Sequence, residues 1–224
     1  MNKDKIYIHH HLGLGDHIIC NGLVREFAKV FSQVFLFSKP HNFDNVSFMY
    51  QDLDNLTVIE ADDSIAVNYI ISNELQKYYL RVGHENMVRG YNFDEAFYRQ
   101  VNIDFDKRWD SFFIERDTKN EEIPFNELNP NDESYSLIHN TGSDGVDRID
   151  YSKIDGSLKQ IIIPKKYGFF DFIKLIENAT EIHCIDSSFI HLVNSLNTDN
   201  KKYFHKNYIN RNFDFTLKGE WTVI

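Results

Sequence analysis

The 224-residue chain has only two cysteines and four prolines, and no apolar run that approaches the roughly 20 residues needed to cross a bilayer. Cys20 and Cys184 both fall inside segments that read as buried elements, which argues against a disulfide framework and for two reduced core thiols. Basic residues are in deficit: 24 Lys and Arg stand against 34 Asp and Glu, a formal net charge of -10 with a pI near 5.4. That balance argues against nonspecific binding to nucleic acid or to anionic membranes, both of which need a basic surface, and leaves room only for a local basic site. The two reduced thiols make the expected location cytoplasmic, and the first residues, Met1-Asn2-Lys3-Asp4-Lys5, lack the apolar core of a secretory signal. Two nucleotide motifs are also missing. After Gly13-x-Gly15 the third glycine position of the dinucleotide fingerprint is Ile18, and no Gly-Lys-Ser/Thr follows as in a P-loop. A nicotinamide oxidoreductase is disfavoured accordingly.

What the chain does have is aromatic bulk, with 19 Phe and 12 Tyr to fill the core of small domains with few, large side chains. It also alternates. Ile6-Tyr7-Ile8, Val34 to Ser38 and Leu56 to Ile59 read as strands, with Ala66 to Ile71 as a fourth, and helical or irregular links separate them. Ile19, Leu23, Phe27 and Phe31 recur every four residues and mark one helical face. Residues 91–116 read as helix and packed aromatic structure; the segment around Tyr91, Phe93, Phe97 and Tyr98 fits core packing at least as well as a ligand surface. A polar stretch with breakers, 117–134, reads as the domain junction. Beyond it, strands at Tyr135 to His139, Gln160 to Ile163, Glu181 to Ile185, Lys202 to His205 and Trp221 to Ile224 alternate with helices through Phe169 to Ile176 and Ser188 to Val193. Such alternation implies parallel sheets with crossovers, hence two α/β halves, residues 1–128 and 129–224.

Two turns carry chemistry. In the first, His9-His10-His11-Leu12-Gly13-Leu14-Gly15-Asp16-His17, a strand runs into a glycine turn and delivers a carboxylate and an imidazole to the start of a helix, the place where α/β proteins bind ligands. Gly13 and Gly15 are expected to take positive φ and to let a ligand approach. Asp16 reads equally as a helix N-cap or as a functional carboxylate. In the second, Ile185-Asp186-Ser187-Ser188-Phe189-Ile190-His191, an Asp and two hydroxyls stand where a strand meets a helix N-terminus, receptive to phosphate; one Ser can cap and the other is surplus. The loop Asn140-Thr141-Gly142-Ser143-Asp144-Gly145-Val146-Asp147-Arg148 holds one Arg, suited either to bridging phosphate oxygens or to pairing with Asp147 or Asp150.

The order and spacing of Gly13-Leu14-Gly15-Asp16 and Asp186-Ser187-Ser188-Phe189-Ile190-His191-Leu192 resemble the heptosyltransferase-like glycosyltransferases of family 9, with this chain a short and divergent member. The resemblance implies a GT-B-like α/β fold, two Rossmann-like domains with parallel sheets facing a central cleft, the first taking the acceptor and the second the donor. It implies Asp16 as general base of an inverting, metal-independent transfer, with Gly13, Leu14, Gly15 and His17 at the acceptor. Asn140, Thr141, Gly142, Ser143, Arg148, Asp186, Ser187, Ser188 and His191 would contact the donor. Ser187-Ser188 stands where the family has Ser-Gly, and the 141–148 loop where heptosyltransferases carry a lysine, which weakens heptose as the transferred sugar. The partners implied are a nucleotide sugar and a saccharide or glycolipid acceptor, compatible with peripheral membrane contact.

No cofactor is expected, and no metal. Asp52-Leu53-Asp54 and Asp104-Phe105-Asp106 match the letters of the Asp-x-Asp motif of metal-dependent transferases, but the first precedes its strand and the second follows no clear strand. Of the three consecutive histidines, only His9 and His11 share a strand face, and a pair without a third ligand makes a weak site. The competing function is a noncatalytic protein that binds a nucleotide or phosphosugar.

Overall fold

The computed structural model describes residues 3–86, 89–206 and 214–224. The chain forms two compact units, Met1–Glu115 with Phe213–Thr216, and Arg116–Asn212 with Leu217–Ile224. The division falls at Glu115/Arg116, earlier than the boundary after residue 128 expected from composition. The reason is local: Asp117 accepts a hydrogen bond from the Asn120 N–H and starts a helix, so the polar stretch becomes an element of the second unit and not a linker.

The first unit carries strands β1 (Lys3–His9), β2 (Phe31–Ser38), β3 (Leu56–Glu60) and β4 (Tyr79–Arg81), all parallel, in the order β3-β2-β1-β4. Helices α1 (Leu14–Ile19), α2 (Asn21–Ala28), α3 (Phe43–Met49), α4 (Asp63–Ser72), α5 (Phe93–Gln100) and α6 (Lys107–Asp110) connect and follow them. The expected long first helix is broken at Cys20, and Phe31 opens β2 where a helical position was expected. The Tyr98 hydroxyl bridges that break, donating to the Ile19 carbonyl at 2.9 Å and accepting from the Leu23 N–H at 3.1 Å. It thereby satisfies backbone groups at a helix junction. Tyr98 and Phe97 are fully buried, which favours the core reading of the aromatic segment.

The stretch expected as a fourth strand is α4. Its Ile and Val residues favour a sheet, but Asp62 accepts from the N–H groups of Ser64 and Ile65, and Ala66 and Ile70, four apart, are the buried positions. The true fourth strand is the three-residue β4.

Gly22 is the closest backbone approach: a Cβ there would lie 2.0 Å from the Lys107 carbonyl oxygen, where α2 packs on α6. Gly22→Ala is expected to destabilise the protein by about 3 kcal/mol, because a backbone atom cannot yield as a side chain can. A denaturant midpoint unchanged from wild type would contradict that packing. A second anchor is the fully buried ion pair of Asp94 with Arg108. Asp94 also accepts from the Thr216 N–H at 2.9 Å, which ties the returning segment to this unit.

The second unit has α7 (Thr118–Leu128), β5 (Tyr135–His139), β6 (Lys159–Ile162), α8 (Ile173–Asn178), β7 (Glu181–Ile185), α9 (Ser188–Ser195), β8 (Lys201–His205) and β9 (Thr222–Val223). Its five strands are parallel in the order β6-β5-β7-β8-β9. Both units are therefore parallel α/β layers. Cys20 and Cys184 are buried free thiols. Among the described residues no helix is long and apolar enough to cross a membrane.

Candidate active site

In an open parallel sheet, ligands bind beyond the carboxyl ends of the strands where the strand order reverses. In the first unit that point is β1, which has β2 on one side and β4 on the other; in the second it lies between β5 and β7. The two turns singled out by sequence lie at these two places.

At the first, Gly13 is the N-cap of α1 and no side chain caps the helix. Asp16 lies within the first turn, its side chain 15% exposed and making no cap bond, so the capping reading of this carboxylate is set aside. It is held instead by His11, whose Nδ1 donates to Oδ2 at 2.8 Å. That hydrogen bond, working against burial, raises the His11 pKa. Gly13 has φ −73 and Gly15 lies within α1; neither has positive φ. The need for glycine at 13 is clearance, since a Cβ would stand 2.6 Å from Asp16 Oδ2 and displace the carboxylate.

The other histidines of the run separate sharply. His9 is buried between the Tyr79 hydroxyl at 2.7 Å and Asp63 at 3.1 Å, and burial lowers its pKa to about 4. His10 binds the His11 carbonyl through Nδ1 at 2.7 Å and packs edge-on against His17, with ring centroids 4.3 Å apart. Both rings are fully buried. His17 is thus a core residue, and its expected place at an acceptor is corrected: helix phase turns it inward from Asp16. Leu14 is half-buried in the first turn of α1.

Sequence reading missed His84. It follows β4, and because β4 pairs with β1 in the register His9↔Arg81, the residues just beyond both strands emerge side by side. The His11 and His84 rings meet edge-on at 5.0 Å. His11, Asp16 and His84 each offer a ligand atom within 4.8 Å of the other two. No sequence signal marked His84 once the fourth strand had been placed at 66–71.

At the second switch point, Ser187 is the N-cap of α9, its hydroxyl accepting from the Phe189 N–H at 3.3 Å. It also meets His139 Nδ1 at 3.2 Å, which links the ends of β5 and β7. His139, stacked on Phe189 at 4.8 Å, is a second residue that sequence did not single out; burial lowers its pKa to about 4. Asp186 and Ser188 are half-buried beside Ser187, whereas His191 is buried one turn into α9. The 140–148 loop leaves the same sheet edge as the Ser187 turn. It closes through the Thr141↔Asp147 bridge, the Arg148 N–H on the Asn140 carbonyl at 2.9 Å, and a positive φ at Gly145. Gly142 and Ser143 form its outer arm. Asn140 donates to Asp147 at 2.7 Å. Arg148 grips Asp144 with both terminal nitrogens. The first Asp-x-Asp match is structural as well, since Asp52 receives both terminal nitrogens of Arg25 at 2.8 Å.

No family model matches the chain, and no curated protein matches it. A solved structure does. A glycosyl transferase family 9 protein from Veillonella parvula DSM 2008 superposes with a TM-score of 0.65 over 100% of this chain and 87% of its own length, at 10% identity. The chain has a GT-B-like fold. At that identity the likeness speaks for architecture alone.

Proposed function

We propose that this protein is a glycosyltransferase that moves a sugar from a nucleotide-sugar donor to a saccharide or glycolipid acceptor, inverting and without an obligatory metal. The observation that carries the reading is Asp16: a carboxylate that caps nothing, held by His11 at the strand-order reversal, with a glycine beneath it that keeps its oxygen clear. A carboxylate so placed is suited to take the proton of an acceptor hydroxyl. Gly13, Leu14 and Gly15 form the adjoining backbone of the acceptor site.

The donor half of the reading rests on the β5–β7 edge. Ser187 and Ser188 open α9, whose N-terminal dipole favours the charge that grows on a departing diphosphate. Asn140, Thr141, Gly142, Ser143 and Arg148 would hold the nucleotide and phosphates from the neighbouring loop, with Asp186 and the buried His191 supporting the turn. Arg148 would exchange part of its contact with Asp144 for phosphate. The fold shared with a glycosyl transferase family 9 protein supports sugar transfer as the general class of reaction.

The test is a thermal-shift screen with nucleoside diphosphates and nucleotide sugars. A donor at a hundredfold excess over its Kd adds about 2.7 kcal/mol to stability, a rise of several degrees in Tm. No shift with any of them would reject the proposal.

A further inference from the structure

The edge beyond β1 and β4 gathers His11, Asp16 and His84, three side chains whose ligand atoms lie within 4.8 Å of one another. Two imidazoles and one carboxylate form a donor set used for zinc and for other borderline divalent metals. From this juxtaposition we infer a divalent transition-metal site, with Zn2+ as the favoured ion and a remaining position open to water.

The geometry favours an ion over chance proximity. His11 Nδ1 and Asp16 Oδ2 already face each other at 2.8 Å across a single proton. In a tetrahedral zinc site with bonds of about 2.0–2.1 Å, ligand atoms stand roughly 3.4 Å apart, so that pair need open only slightly while His11 swings towards His84. The His84 ring is held in place by Phe93 at 5.4 Å and Phe97 at 5.2 Å, edge-on to the latter. His11 is the adjustable member, with 46% of its side chain exposed. The ligands come from two segments fixed by one strand pairing, β1 with β4, so the set is built by the fold of the first unit alone. His9, although next in the run, is excluded, because both of its ring nitrogens are already engaged by Tyr79 and Asp63.

The site does not depend on the glycosyltransfer reading. If that reading holds, the ion engages the Asp16 oxygen that would accept the acceptor proton, so metal and base catalysis compete and the ion is an inhibitor rather than a cofactor.

The experiment is direct metal binding to the whole chain, read without any activity. Co2+ titration followed by visible absorption reports coordination by the protein, and competition of Zn2+ with a chromophoric chelator gives its affinity. Wild type should bind one equivalent, with the absorption pattern of a low-coordinate Co2+ site. His11→Gln, at an exposed position, and His84→Gln should each weaken Zn2+ binding by at least about tenfold. Absence of binding to the wild type, or equal affinity in wild type and the His11→Gln/His84→Gln double variant, would overturn the inference. Failure here leaves the nucleotide thermal shift unaffected, and the reverse also holds.

Discussion

Asp16→Asn is expected to lower sugar transfer by about 10²–10⁴-fold, or about 3–5 kcal/mol of barrier, while nucleotide binding persists. Asn keeps the size of the side chain and can still face His11, but it has no carboxylate to take a proton. Asp16 makes no cap bond and its helix starts at Gly13, so the substitution costs α1 little and melting temperature should stay near wild type. The pair of readouts is what discriminates. Turnover lost with the nucleoside-diphosphate thermal shift retained assigns Asp16 to the chemical step. Turnover within tenfold of wild type removes it from that role. If the wild type binds nucleotide yet transfers from no nucleotide sugar, the protein is a noncatalytic binder with the same architecture.

Acidification should weaken both units. Burial lowers the pKa of His9 and His10 in the first unit, and of His139 and His205 in the second, from 6.5 to about 4 in each case. The unfolded chain then binds protons below pH 6.5 that the folded chain refuses, so stability falls as pH drops from about 6.5 towards 4 and is flat above that window. Each imidazole costs about 2 kcal/mol at pH 5, roughly 4 kcal/mol per unit, against a total that is typically 5–15 kcal/mol.

Burial keeps the rings neutral, and at His205 the hydrogen-bond pattern acts in the same direction. His205 Nδ1 accepts from the Asp150 N–H at 3.1 Å, so its proton sits on Nε2 and is given to His183 Nδ1 at 2.9 Å. His183 in turn donates from Nε2 to Glu181 at 3.2 Å. A second proton on His205 would point at a donor. His11, whose pKa is raised, gains stability on acidification, but its half-exposed ring offsets little. Melting temperature should fall by about 10 °C or more between pH 7 and pH 5. An unchanged value would show that these rings accept protons in the folded state.

Much of the fold was legible because its signals are local. Short runs rich in β-branched and aromatic residues marked β1, β2, β3 and β5 to β9, and Ser187 announced the start of α9. The failures were equally local in origin. Ala66 to Ile71 has the composition of a strand, and the cap at Asp62 overrode it. The 117–134 stretch has the composition of a linker, yet Asp117 caps a helix whose Pro124 does not end it. Leu14 to Phe31 has helical period, but it cannot show that Cys20 breaks the helix and that a distant Tyr98 repairs the break.

The sequence by itself determined that this is a parallel α/β protein of two halves, acidic, with a carboxylate after its first strand and hydroxyls before a late helix. Those properties depend on neighbours in the chain, so pattern and cap chemistry suffice to read them. Tertiary structure alone decided what the residues at the first turn do. It turned His17 into the core, freed Asp16 from capping and set His11 against it. By pairing β4 with β1 it also brought His84, 68 positions beyond Asp16, to the same edge. Strand register carries such information, because parallel neighbours align residues whose separation along the chain is invisible to any local rule.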